Sequence, residues 1–158
     1  TGGASVGEED YLIEVINKIG KILFWKAAIK PGRPVALGKV DNCYVICLPG
    51  NPVSVQLLYA LIIQPFIYYL AGANFVLPRP EKLKVNFNMN KKTKRMEWLR
   101  VKKKKNNLEY VAEKFPKQGS GMISSIAYSD GIIEIPEHVS KIKIGESYDY
   151  FDFKILFS

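Results

Sequence analysis

A Pro-Arg-Pro step at residues 78–80 divides the chain into two stretches that read with different periods. Before it, apolar runs alternate between helical and extended spacing; after it, short period-two runs dominate. Interleaved strands and helices point to α/β layers, whereas five or six short strands with few helices point to a small barrel or sandwich. The residues thus read as mixed helices and strands up to a linker at Leu77-Pro78-Arg79-Pro80, then as a small barrel or sandwich from about Glu81. No internal repeat is visible.

In the first stretch, Ser5 and Glu8 have capping-box spacing, and a helix is expected from about Glu8 to Ile19, stopped by Gly20. Tyr11, Leu12, Val15, Ile16 and Ile19 form its apolar stripe. Residues 22–29 read as one strand, and 35–40 with 43–48 as a hairpin about Asp41-Asn42. A long apolar helix follows over 53–71, to be kinked or split by Pro65; it is apolar on nearly every side and should be deeply buried or covered by a partner. In the second stretch, Leu83, Val85 and Phe87 alternate, and Met96 to Lys105 is a strand that turns at Asn106-Asn107 and returns over 108–115. Residues 120–128 read as a short helix, 132–135 as a strand and 148–157 as a last strand.

The formal charge of the 158-residue chain is +8, with lysines concentrated between Lys82 and Lys117. A basic balance admits nucleic acid, an acidic membrane or a small anion as partner. No run of about 18 apolar residues and no signal peptide are read, so no membrane partner is expected. Cys43 and Cys47, four apart on one strand, would sit roughly 13 Å apart, too far for a disulfide. They read as buried small hydrophobes in a reducing, cytoplasmic setting. His138 is the sole histidine, which sets aside a His-rich metal site.

Three short runs carry chemistry. Gly2, Gly3, Ser5 and Gly7 lie before a helix N-terminus, where backbone amides can approach an oxyanion. Glu8, Glu9 and Asp10 follow; dipole compensation accounts for the first two, while a carboxylate at Asp10 beside an anion can hold a divalent cation. Lys26 and Lys30, four apart on the expected strand, share a face by parity, with Arg33 in the turn beyond. Pro49-Gly50-Asn51-Pro52 is a stiff loop leading to a helix that Ser54 can cap; it reads equally as a plain turn or as the strand-end loop where open α/β sheets bind ligands. Later, Arg95 and Arg100 flank Trp98 and either clamp a phosphate or cover the barrel; Gly119-Ser120-Gly121 is either an anion loop or a capped turn. Lys102 to Lys105 reads as a solvated hairpin face.

In order, Thr-Gly-Gly-x-Ser-Val-Gly-x-x-Asp-Tyr, Phe-Trp-Lys-x-x-Ile-Lys-Pro-Gly-x-Pro and Leu-Pro-Gly-Asn-Pro-Val-Ser across residues 1–54 resemble the MoeA family of molybdopterin molybdenumtransferases, which includes the corresponding domain of gephyrin. The tail, from Gly119 through Ser124-Ser125 to Pro136, resembles it more loosely. The resemblance implies the fold: residues 1–75 as the second half of a MogA-like pterin-binding α/β domain, followed by a small all-β barrel-like C-terminal domain over residues 76–158. It implies an enzyme that inserts molybdenum from molybdate into adenylylated molybdopterin and releases AMP, helped by Mg²⁺, as a homodimer. It implies catalytic roles for Asp10 (also the metal ligand), Lys26 and Lys30. Substrate contacts would come from Gly2, Gly3, Ser5, Gly7, Arg33, Pro49, Gly50, Asn51, Pro52, and in the barrel from Arg95 or Arg100 with Ser120 or Ser125. The chain starts inside a Gly-rich turn without an initiator Met, so it is expected to be a piece of that enzyme, inactive alone. The competing readings are a pterin-binding module without insertase activity, a scaffold, and a basic barrel for single-stranded nucleic acid, which no spelled-out motif supports.

Overall fold

A computed structural model describes residues 11–73 and 78–157. Helix α1 (Leu12–Ile19) ends at Gly20 as expected, while its expected beginning at Glu8 lies outside the described residues. Its inward face is Ile13 and Ile16, packed on Ala36 and Cys47 with Leu12 partly covered. Tyr11, Val15 and Ile19 of the expected stripe are instead exposed; at spacing i, i+4, i+8 they run along the side turned away from the sheet. That sheet has three antiparallel strands, β1 (Lys21–Trp25), β3 (Ala36–Val40) and β4 (Cys43–Cys47), in the order β1-β3-β4, with the hairpin turn at Asp41-Asn42 as expected. Cys47 is buried but Cys43 is exposed, so the pair does not form one buried face.

The single strand expected over 22–29 is two. β1 stops at Trp25, Lys26 takes a left-handed φ of 69°, and a two-residue β2 (Ile29–Lys30) then pairs elsewhere. This break cancels the parity argument for Lys26 and Lys30. The long helix is continuous over Pro52–Leu70 rather than split: α2 (Pro52–Leu58), a π-helical turn (Tyr59–Ile63) and α3 (Gln64–Leu70). The widened turn sits immediately before Pro65, whose missing amide and bulky ring it accommodates. One side of this helix is buried through Val53, Leu57, Leu58, Ala60 and Ile63, while Tyr59, Ile67, Tyr68, Tyr69 and Leu70 are exposed. By length and composition the helix could cross a membrane (19 residues, mean hydropathy 1.6), which corrects the expectation that no such run exists.

After residue 80 the strands close on themselves. β5 (Glu81–Val85), β7 (Met96–Asn106), β8 (Glu109–Lys114), β9 (Gly131–Ile135) and β11 (Ser147–Asp152) form the ring β7-β8-β5-β11-β9, shut by β9 pairing back on β7. Closure works because β7 is eleven residues long: Glu97–Val101 pairs with β9 and Val101–Asn106 with β8. The turn between β7 and β8 is Asn107-Leu108, one residue later than expected, with Asn107 at φ 53°. A small pair, β6 (Met89–Asn90) with β10 (Lys141–Ile142), caps one side. The expected helix over 120–128 is only α4 (Ser124–Tyr128), and the last strand ends at Asp152, where a short α5 (Phe153–Leu156) begins, capped by the Asp152 carboxylate.

Period-two geometry divides β7 between two cores. Leu99 and Val101 point into the barrel with Leu83, Val85, Ala112, Ile133, Ile135 and Tyr150. Trp98 points outward, where it packs with Val53, Leu57 and Leu58 of α2, Val35, Ile132 and Leu156. Gly131 permits this ring, since a Cβ there would lie 2.2 Å from the Phe151 carbonyl oxygen. β2 then joins the two stretches, pairing parallel with β7 so that Ile29 faces Met96 and Lys30 faces Glu97.

Candidate functional site

The junction between the α/β stretch and the barrel gathers three loops. The first follows β2: Lys30-Pro31 is cis, and Gly32 takes a φ of 113°. Pro31 and Gly32 are buried, and a Cβ on Gly32 would stand 3.0 Å from Leu58 Cγ, so the turn lies tight on α2. The second loop is 49–51. Pro49 is buried and Asn51 is the helix N-cap, but neither Asn51 nor Ser54 caps with its side chain; Ser54 is buried and faces the junction. The third loop, 118–120, is tied to both neighbours. The Val53 amide donates to the Ser120 carbonyl at 3.3 Å. Gln118 bonds the Arg100 backbone twice, accepting from its N–H and donating to its carbonyl at 3.0 Å each.

These loops enclose a cavity of about 340 Å³ lined by Ile29 to Pro34, Pro49, Asn51, Ser54, Arg95 and Gln118 to Ser120. Lys30, Arg33 and Arg95 are its cations, and Asn51, Gln118 and Ser120 bring neutral polar groups. Lys30 Nζ lies 3.3 Å from both oxygens of Glu97, whose side chain is buried, so a half-exposed ammonium is held in place by a fixed carboxylate. A preorganised set of cations and neutral donors at a rigid junction is suited to a small oxyanion.

Six of the expected site residues, Lys30, Arg33, Pro49, Asn51, Arg95 and Ser120, meet at this cavity. Pro52 starts α2 behind it, and Gly50 is exposed in the same loop. Gly2, Gly3, Ser5, Gly7 and Asp10 lie outside the described residues. Lys26 does not line the cavity; its ammonium sits 3.9 Å above the Trp25 ring. Arg100 and Ser125 are turned inward and do not line it. Arg100 is 1% exposed and donates to Ser125 Oγ (3.1 Å), the Gly119 carbonyl (3.1 Å) and the Trp98 carbonyl (3.4 Å). Burial pushes its pKa down to about 10, which leaves it charged at neutral pH. Its role is to brace the 118–120 loop from behind, so the expected Arg95–Arg100 clamp is divided between one lining arginine and one bracing arginine.

Glu97 and Gln118 were not foreseen. Glu97 shares the parity of Leu99 and Val101, so a carboxylate on the buried phase of a strand was a readable signal; Gln118 had none. Among the described residues, no group of three His, Cys, Asp or Glu could hold a metal ion.

Comparison with known proteins agrees with this architecture. Residues 1–69 match the family described as "Probable molybdopterin binding domain", and residues 82–153 match the MoeA C-terminal region (domain IV). A molybdopterin molybdenumtransferase of Haemophilus influenzae is 33% identical over 151 residues, 93% of this chain but 37% of that protein. One from Staphylococcus epidermidis is 31% identical over 152 residues, 94% of this chain and 36% of its own length. The crystal structure of a molybdopterin biosynthesis MoeA protein from Pyrococcus horikoshii superimposes with a TM-score of 0.71 at 27% identity, covering 89% of this chain and 34% of that one. The chain thus spans little more than a third of the length of these relatives. By both of its halves, with a molybdopterin-binding segment joined to a domain IV barrel, the chain belongs to the MoeA family.

Proposed function

We propose that this chain forms the oxyanion-handling part of a molybdopterin molybdenumtransferase, with residues 1–75 contributing the pterin-binding part and 76–158 the barrel. The parent enzyme inserts molybdenum from molybdate into adenylylated molybdopterin and releases AMP, working as a homodimer. The observation that carries this reading is the convergence of Lys30, Arg33, Asn51, Arg95 and Ser120, drawn from both halves, on one cavity of about 340 Å³. Molybdate is a dianion whose approach to a dithiolene and a phosphoanhydride, both anionic, is opposed by repulsion. Lys30, Arg33 and Arg95 offset that repulsion, and the polar groups of Asn51 and Ser120 fix the oxyanion's orientation. No protein nucleophile is needed, since the dithiolene sulfurs are the ligands that the metal acquires. Glu97 keeps the Lys30 ammonium at the cavity wall. Mg²⁺ belongs to this reading through Asp10, which lies outside the described residues; among those, no group of three His, Cys, Asp or Glu could hold it. The chain by itself is expected to be inactive.

The test is molybdenum-cofactor formation from adenylylated molybdopterin and molybdate by the full-length protein. Activity in the wild type and loss in folded Lys30→Ala and Asp10→Asn variants is the expected result. A folded wild type that binds pterin but never inserts the metal would overturn it in favour of a binding or scaffold module.

A further inference from the structure

A carboxylate is an unexpected neighbour for an oxyanion cavity. The space of about 400 Å³ next to that cavity shares Lys30, Arg95 and Gln118 with it and adds Lys91, Lys92 and Lys114. Among the described residues, Glu97 is the one carboxylate lining either space. Its side chain is 6% exposed, and among those residues its hydrogen bonds come from the Lys30 ammonium alone, at 3.3 Å to each oxygen. Charge-assisted contacts are ordinarily about 2.7–2.9 Å long. A buried carboxylate held by one long contact gains little stability, because its desolvation is poorly offset. Arg100, the other buried ion among the described residues, braces a loop; Glu97 braces nothing but Lys30. Burial lowers the Lys91 pKa, Glu97 pulls against that, and Lys30 and Arg95 add to the lowering, so the field of Glu97 reaches across the cluster of cations.

The place of Lys30 decides what that carboxylate does. Lys30 lines both spaces and Glu97 only the second, so the ammonium stands between the carboxylate and the oxyanion cavity. A negative charge there draws Lys30 and fixes its position. The same charge repels any oxyanion that Lys30 meets on its other side. Greatest affinity for an anion is served by a neutral amide at this position, not by a carboxylate. Binding that is equally strong in the ground state and the transition state lowers KM without raising turnover, so lower affinity with a fixed ammonium favours transfer. We propose that Glu97 is a positioning residue that acts against affinity: it holds Lys30 from behind and weakens oxyanion binding in the first cavity, so that the oxyanion is oriented but readily given up. The proposal rests on the oxyanion reading of that cavity and adds to it a residue that never touches the ligand.

Two measurements on the full-length protein test this: isothermal titration with molybdate, and molybdenum-cofactor formation from adenylylated molybdopterin at varied molybdate. Glu97→Gln keeps the shape and removes the charge. It is expected to bind molybdate about tenfold more tightly, the effect of removing one repulsive charge several ångströms away. KM for molybdate should fall with it, while kcat falls about tenfold because Lys30 is no longer fixed and the anion is held harder. Glu97→Asp keeps the charge and shortens its reach to Lys30, so molybdate affinity should stay within about twofold of wild type while kcat still falls. Thermal unfolding of both variants checks that the barrel is intact. Glu97→Gln that binds molybdate no more tightly than wild type overturns the proposal, and so does an unchanged kcat in Glu97→Asp, which decides the matter should Glu97→Gln not fold. Wild-type molybdate binding that is indifferent to Lys30→Ala and Arg33→Gln overturns the reading of the first cavity, and this proposal with it; binding that depends on both, with the Glu97 variants failing, overturns this proposal alone.

Discussion

Replacing Arg100 by Ala separates bracing from binding. The side chain is 1% exposed and makes three hydrogen bonds, to Ser125 Oγ, Gly119 O and Trp98 O. Truncation removes the arginine donor from the Gly119 carbonyl, which keeps the Met122 amide at 3.3 Å, so that loss costs about 0.5–1.5 kcal/mol. Ser125 suffers less, because its hydroxyl still donates to the Met122 carbonyl at 2.6 Å. The void left by a long buried side chain adds a cost comparable to other large-to-small core changes, about 2–5 kcal/mol. Against both stands relief: the guanidinium is buried without a carboxylate among its described hydrogen-bond partners, and its depressed pKa of about 10 records that the charged form is disfavoured there. The net expectation is a loss of about 3 kcal/mol, which for a chain of this size lowers Tm by roughly 6–12 °C. Arg100→Met keeps most of the volume and removes the buried charge, so its loss should be about 1 kcal/mol. Urea unfolding followed by the fluorescence of buried Trp98 reads both. Arg95→Ala is the counterpart: stability unchanged to within about 0.5 kcal/mol, and molybdate affinity down about tenfold. If Arg100→Ala unfolds at the wild-type midpoint while molybdate binding disappears, the bracing argument is wrong and Arg100 is a ligand group.

Leu57, fully buried between α2 and the barrel, should cost about 2–5 kcal/mol as Leu57→Ala in the same urea assay. Gly32→Ala meets a left-handed φ of 113° and the Leu58 side chain at 3.0 Å; a loss of roughly 1–3 kcal/mol is expected together with weaker molybdate binding, since the turn carries Lys30 and Arg33. Burial, with help from the hydrogen bond to Glu146, raises the Tyr148 pKa from 10 to about 12. Between those values the unfolded chain sheds the phenolic proton that the folded chain keeps. The contribution of Tyr148 is therefore full below pH 10 and lost as pH rises through 12, and Tyr148→Phe should decline less steeply over that window in alkaline unfolding titrations.

Much of the site was legible because its residue types have few other uses in those places. The Pro31-Gly32-Arg33-Pro34 turn and the Pro49 to Pro52 loop are readable as rigid, and both line the cavity or stand directly behind it. What misled was strand continuity. Parity places Lys26 beside Lys30 only if one strand connects them, and a left-handed residue at Lys26 breaks it. Arg95 and Arg100 are chemically alike in sequence, and nothing local reveals that one lines a cavity while the other is enclosed behind the 118–120 loop. Of the apolar stripe read on α1, Leu12 and Ile16 pack inward while Tyr11, Val15 and Ile19 stay exposed, and the buried Ile13 was not part of it.

Spacing and the backbone limits of Gly and Pro sufficed for the change from mixed helices and strands to short alternating strands, for the hairpin at Asp41-Asn42 and for the long helix after Pro52. Barrel closure, the parallel pairing of β2 with β7 and the meeting of Lys30 with Glu97 emerge in three dimensions alone. The last two depend on contacts 67 residues apart along the chain, and local propensity carries no information about which distant strand edge a two-residue segment will find.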